Sequence, residues 1–183
     1  MSVTPWRRSP PPRGIGNRGI LTRRLWGLIG AYHRCVAVEV VTSIDIECPR
    51  SVVVAYVSNP DNAIHWYVNI KSVDCESPRP AVVGTRVAFV AQFLGRRIAY
   101  TYGVRELVPD ERFVMSTAEG PFPMETTYTW QDGPAGGATT MTLRNEGDPA
   151  GLGKVAAPVM AAAMRRTNQK DLARLKDILE ARE

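Results

Sequence analysis

The sequence predicts an α+β fold, an antiparallel sheet of about six to seven strands covered on one face by a long C-terminal helix. Three observations predict it. Short extended runs, each with one bulky apolar face and one polar face, follow one another from about residue 69 to residue 145. Turn residues separate them at spacings too short for a crossover helix, so neighbours in sequence are neighbours in the sheet. A single amphipathic stretch then closes the chain, long enough to cover that sheet.

The 183 residues suit one domain with a real core plus an appendage, and the charge separates the two. Of 23 basic and 18 acidic residues, seven arginines and no acidic residue fall within residues 1–36, which leaves 16 basic against 18 acidic, a net of −2, on the remainder. A nucleic-acid face needs Lys and Arg clustered on the folded part, so no nucleic-acid partner is expected.

Residues 1–37 read as a disordered, basic, Pro- and Arg-rich tail. Thr22-Arg23-Arg24 before the apolar run 25–32 is similar to a twin-arginine export signal. His33 and Arg34 end the run after about eight residues, the lower edge for such a signal and far too short to span a bilayer. Export, a weak membrane-surface contact through the basic tail, and a nonfunctional extension or misassigned start stay open. The expectation is a cytoplasmic protein whose domain occupies residues 38–183.

That domain opens on "VEVVTSIDIE", rich in β-branched residues, with Ile44 and Ile46 on one face and Asp45 and Glu47 on the other. Pro49 fits the first position of a helix in which Val52, Val53, Tyr56 and Val57 recur at helical spacing, and Ser58-Asn59-Pro60 stops it. A second short helix is expected over residues 61–66, capped by Asp61 or Asn62. Extended runs follow at 70–76, 85–94, 98–107, 112–119, 124–131 and 138–145, separated by "SPRPAVVG", "GRR", "VPDE", "GPFP" and "DGPAGG".

Alternation assigns faces within these runs. Val87, Phe89, Ala91 and Phe93 share one face, as do Ile98, Tyr100, Tyr102 and Val104. Phe113, Met115, Thr117 and Glu119 line up, then Met124, Thr126, Tyr128 and Trp130, then Thr139, Met141, Leu143 and Asn145. In the closing segment "KVAAPVMAAAMRRTNQKDLARLKDILE", Met160, Met164, Asn168, Leu172, Leu175 and Leu179 form one stripe. Asp171, Arg174, Lys176, Asp177 and Glu180 read as its solvated face, and Pro158 either begins the main helix or kinks it.

Cys35, Cys48 and Cys75 show neither C-x-x-C spacing nor a neighbouring His pair, so reduced thiols rather than a zinc site are expected. A Cys48–Cys75 bridge is open only if the two strands that carry them pair. The chain contains no P-loop, G-x-S-x-G, H-E-x-x-H or dinucleotide fingerprint, and no cofactor is expected. Gly133, Gly136 and Gly137 belong to a hairpin connection.

Four stretches taken in order, "SIDIECPRSVVVAYVSNPDNAIHW", "VGTRV", "VRELVPDERFVMST" and "DLARLKDILE", carry a family resemblance. Over residues 38–183 the chain resembles the helix-grip fold of the START-like/Bet v 1-like (SRPBCC) superfamily. Within it the chain looks most like the polyketide cyclase/dehydrase and lipid-transport group. The resemblance implies a curved sheet closed around the C-terminal helix, with an apolar cavity for a hydrophobic small molecule between them. Because this architecture hosts many functions, three readings follow: carriage of a lipid or polyketide-like ligand, a cyclase or dehydratase acting in the same cavity, and a protein-interaction module of toxin or co-chaperone type.

On this reading Phe89, Phe93, Tyr100, Tyr102, Met115, Tyr128, Met141, Met160 and Met164 line the cavity, with Trp66 near its entrance. Five of the six methionines fall after residue 114, and flexible thioethers suit a pocket that adapts to its ligand. Asn168 either orients a ligand or faces the open end of the grip, and Ala162 or Ala163 is expected to border the pocket. The tyrosine hydroxyls are candidate donors to a ligand carbonyl. Catalysis would need a general base, for which Glu119, inward by alternation, and His65, one of two histidines, are the candidates.

Overall fold

The computed structural model describes residues 38–75, 81–93, 95–148 and 153–181, without the side chains of residues 93 and 153–156. The expected tail over residues 1–37, and Cys35 within it, lie outside the described residues. The chain begins with β1 (Val38–Ile46), continues through α1 (Arg50–Val57), a 3-10 turn (Pro60–Asn62) and α2 (Ala63–Trp66), and then enters six strands. These are β2 (Ile70–Cys75), β3 (Arg86–Phe93), β4 (Arg96–Val108), β5 (Arg112–Glu119), β6 (Met124–Asp132) and β7 (Thr139–Gly147). The helix α3 (Gly153–Glu180) follows.

The seven strands form one antiparallel sheet in the order β1-β7-β6-β5-β4-β3-β2. The six later strands are a meander, and β1 pairs with β7 from Val38 opposite Gly147 to Ile46 opposite Thr139. Cys48 and Cys75 are therefore not bridged to each other: they adjoin β1 and β2, the two opposite edges of the sheet.

Register shifts lie between Ile70 and Ser72 of β2 and at two points along β4 and β5. Such bulges bend a strand and strengthen its twist, which is how a sheet this wide comes to curve. The β4–β5 shift also decides a side chain. Tyr102 pairs with Thr117 but Thr101 pairs with Glu119, so Ala118 is the extra residue and the alternation of β5 inverts there.

Around the first helices the reading needs small corrections. Pro49 is the residue before α1 rather than its first, and Val52 is half exposed while Val53, Tyr56 and Val57 are buried. The cap after Ser58 is Asn59, whose side chain accepts the Asp61 N–H, and Asn62 instead donates to the Tyr56 carbonyl. Pro158 lies inside α3, which starts five residues before it.

The C-terminal half of α3 is anchored. Leu172, Leu175 and Leu179 are each at most 1 % exposed and join Trp66, Phe113 and Trp130 in the core. Burying each such leucine is worth roughly 2–3 kcal/mol. Polar ties fix the helix end to β1: Glu180 accepts the Glu47 N–H at 2.7 Å and Lys176 donates to the Asp45 carbonyl at 2.7 Å. Leu175→Ala is expected to destabilise the fold by about 2–5 kcal/mol, read as a lowered urea midpoint at constant slope.

Candidate functional site

The stretch of α3 from Met160 to Asp171 does not fill the space beneath it. Between it and the sheet is a cavity of about 170 Å³. Met160, Met164, Thr167, Asn168 and Asp171 of α3 form one wall. Phe89 and Ala91 of β3, Ile98, Tyr100 and Tyr102 of β4, and Met115 and Thr117 of β5 form the opposite one. Met124, Thr126 and Tyr128 of β6 and Asn145 of β7 extend it, and Tyr67, Asn69 and Ile70 enter from the chain after α2. Pro121, which is exposed, and Phe122 complete the lining.

Its polar groups fall into two hydrogen-bonded sets. In the first, the Tyr67 and Tyr128 hydroxyl oxygens are 2.6 Å apart. Their rings are held by neighbours: Trp66 stacks on Tyr67 at 3.9 Å, and Phe113 and Trp130 stack on Tyr128 at 5.7 and 6.3 Å. Two hydroxyls own two hydrogens, and their mutual bond uses one. Among the described residues the other hydrogen has no acceptor, so the pair retains a donor at the cavity wall.

In the second set, Asn168 Nδ2 donates to Asn145 Oδ1 at 2.8 Å, Asn145 Nδ2 donates to Thr126 Oγ1 at 2.9 Å, and Thr126 donates to the Tyr102 hydroxyl over a longer 3.4 Å. This chain ties α3 to β7, β6 and β4. Nearby, the Tyr100 hydroxyl has no hydrogen-bond partner among the described residues.

Asp171 is 1 % exposed, and one of its oxygens accepts the Val68 N–H at 2.8 Å. Burial pushes its carboxyl up to about 7, against the opposing pull of the Val68 N–H and Arg174. Burial likewise raises the hydroxyls of Tyr67, Tyr100, Tyr102 and Tyr128, so they stay neutral donors at ordinary pH. Among the described residues no group of three or more His, Cys, Asp or Glu side chains comes together to hold a metal ion, and no helix is long and apolar enough to cross a membrane.

Of the residues expected at the cavity, Phe89, Tyr100, Tyr102, Met115, Tyr128, Met160, Met164 and Asn168 line it. The side chain of Phe93 lies outside the described residues. Met141 is wholly buried in the core, opposite Ile44 and Trp130 in the sheet. Trp66 is also core, and the ring that reaches the cavity is its neighbour Tyr67. Glu119 is exposed and paired with Arg86, because the bulge at Ala118 turns it to the outer face. His65 is exposed on α2. Ala162 is exposed and Ala163 half-buried, and neither lines the cavity; its volume lies beside the methionines instead.

Asp171 is the main residue the sequence reading missed. It sits three residues after Asn168, four after Thr167 and four before Leu175, so helical spacing places it on the buried stripe. Its charge argued for solvent, and the Val68 N–H overrides that by supplying a partner. The site accordingly combines an unused hydroxyl hydrogen with a buried carboxyl that burial raises.

A family model described as polyketide cyclase/dehydrase and lipid transport matches residues 37–180. No curated protein is similar enough in sequence to count as a match. Among solved structures, a START superfamily protein from Mycobacterium smegmatis has a TM-score of 0.68 at 12% identity, over 79% of this chain and 99% of its own. The Zhui aromatase/cyclase from Streptomyces sp. R1128 gives 0.67 at 14% identity, over 79% and 94%. The major latex-like protein 151 of Panax ginseng gives 0.63 at 10% identity, over 77% and 96%. At these identities the structures share the fold with this chain, a seven-stranded antiparallel sheet curved around a long C-terminal helix.

Because the Asp171 carboxyl titrates higher in the folded chain than in an unfolded one, the folded protein binds a proton more readily. Stability from this group is fully present below about pH 4 and is lost as pH rises toward about 7. Asp171→Asn keeps an acceptor for Val68 and removes the titration. The wild type is expected to lose on the order of 2–4 kcal/mol relative to this variant between pH 4 and pH 8, measured by urea denaturation at each pH.

Proposed function

Because the chain belongs to the polyketide cyclase/dehydrase and lipid-transport family, we propose that it binds a small hydrophobic molecule carrying an oxygen acceptor in the cavity between the sheet and α3. The observation that carries this reading is the unused hydrogen of the Tyr67–Tyr128 pair at the wall of a cavity that Phe89, Ala91, Ile98 and four methionines also line. A buried donor without an acceptor costs about 1–3 kcal/mol, and a ligand carbonyl or phenol oxygen seated there relieves that cost. Size narrows the class. A dry cavity of about 150 Å³ accommodates a benzene ring, so 170 Å³ suits the body of a one-ring compound, or one ring of a larger polyketide or lipid whose remainder lies outside it.

The second reading is a cyclase or dehydratase acting in the same cavity. It is supported by the buried Asp171 carboxyl, since pure carriage of an apolar molecule gives no reason to place an ionisable group there.

Native mass spectrometry of the purified protein is expected to find a bound molecule of roughly one or two rings that bears oxygen. Ala91→Phe, which places a ring in the cavity, should lower its occupancy at least about tenfold, with a stability change within the roughly 1–3 kcal/mol of an overpacked site. Equal occupancy in the variant would move the ligand out of this cavity, and an empty wild type that takes up no ring ketone or phenol would end the proposal.

A further inference from the structure

The polar groups of the cavity are arranged in a way that simple binding does not require. Asp171 presents a carboxyl whose second oxygen has no donor among the described residues. It borders the same small space as the Tyr67–Tyr128 pair and its spare hydrogen. One group is an acceptor of protons and the other a donor of hydrogen bonds, and both line one space of about 170 Å³. We infer that Asp171 and the Tyr67–Tyr128 pair form a proton-transfer centre that enolises a small carbonyl compound, Asp171 taking the proton from the carbon beside the carbonyl while the hydroxyl pair donates to its oxygen. This rests on the binding reading above and assigns it a chemistry.

The step balances without a further reactant. The C–H bond breaks, its proton bonds to the free Asp171 oxygen, its electron pair becomes the C=C bond, and the carbonyl π pair moves to oxygen. The charge lost by the carboxylate appears on the enolate oxygen, where the tyrosine hydrogen bond meets it. One negative charge is therefore present in the cavity throughout, and no additional ion is desolvated. Return of the proton to the same carbon gives exchange, and return to a conjugated carbon moves a double bond. Tyr67 after α2, Tyr100 of β4 and Tyr128 of β6 face the carboxylate, and Arg174 acts on it from α3 itself. All three tyrosines are neutral, so Asp171 is the group in this set that can change charge near neutral pH.

The test uses 2-indanone and 2-tetralone with the full chain in D2O. Binding is read by saturation-transfer NMR and hydrogen–deuterium exchange beside the carbonyl by the decay of its proton signal. The wild type should accelerate exchange at least about 100-fold over buffer, with a rate that climbs with pH and levels off above about 7. Asp171→Asn should bind both ketones within about threefold of wild type and lose the acceleration, and Tyr67→Phe should slow exchange about 10–100-fold. Ketones that bind without accelerated exchange, or an Asp171→Asn protein that exchanges as fast as wild type, overturn the proton-transfer centre and leave the binding reading standing. Failure of both ketones to bind overturns the two together. Should Asp171→Asn not fold, the wild-type profile decides: catalysed exchange that does not vary between pH 5.5 and 8.5 overturns the inference.

Discussion

A helix about 10–12 Å across has to cover a sheet of seven strands spaced about 4.8 Å apart, and a flat sheet of that width would leave most of its apolar face in water. The chain meets this constraint by curving the sheet at its register shifts and by carrying different side chains along the two halves of α3. The leucines at 172, 175 and 179 seat the C-terminal half in the core. Nearer the N-terminus the stripe continues with methionines, Thr167, Asn168 and Asp171, which reach the sheet without filling the space. The cavity is thus the unfilled part of a packing problem whose other part is solved tightly.

Polar groups in such a space are stable only where they find partners. The Asn168–Asn145–Thr126–Tyr102 chain is a continuous run of hydrogen bonds that joins the helix to three strands, so it reads as structure that borders the cavity. The Tyr67–Tyr128 pair and Asp171 are each satisfied once and left with one function unused. Groups half-satisfied in this way set the chemistry of a site, because a ligand completes them. The exposed Glu119–Arg86 pair, by contrast, is solvated on the outer face and has no bearing on the cavity.

Much of this was legible in the sequence. Period-two alternation located the strands to within two residues at their ends and placed Phe89, Tyr102, Met115 and Tyr128 inward, because a face buried against a helix fixes strand register strongly. Glu119 escaped because a single-residue bulge is invisible to alternation and flips every residue beyond it. Asp171 escaped because a carboxylate ordinarily belongs in solvent, and the N–H that partners it comes from Val68, distant in sequence. Met141 is inward as expected and Trp66, expected near the entrance, is core, since facing inward does not distinguish cavity wall from packed core. That distinction depends on how far each side chain lies from the tightly packed end of α3, a tertiary distance the sequence does not encode locally.

Whether a small oxygen-bearing molecule occupies the space between the sheet and the Met160–Asp171 stretch of α3 is read directly from the methionine methyl groups. Met115, Met124, Met160 and Met164 line the cavity, while Met141 is buried in the core and serves as an internal control. In a protein labelled with 13C at the methionine methyls, titration with 2-indanone should shift the four cavity signals along one saturating curve and leave that of Met141 in place. Four unmoved cavity signals, or a Met141 signal that moves with them, would contradict the account.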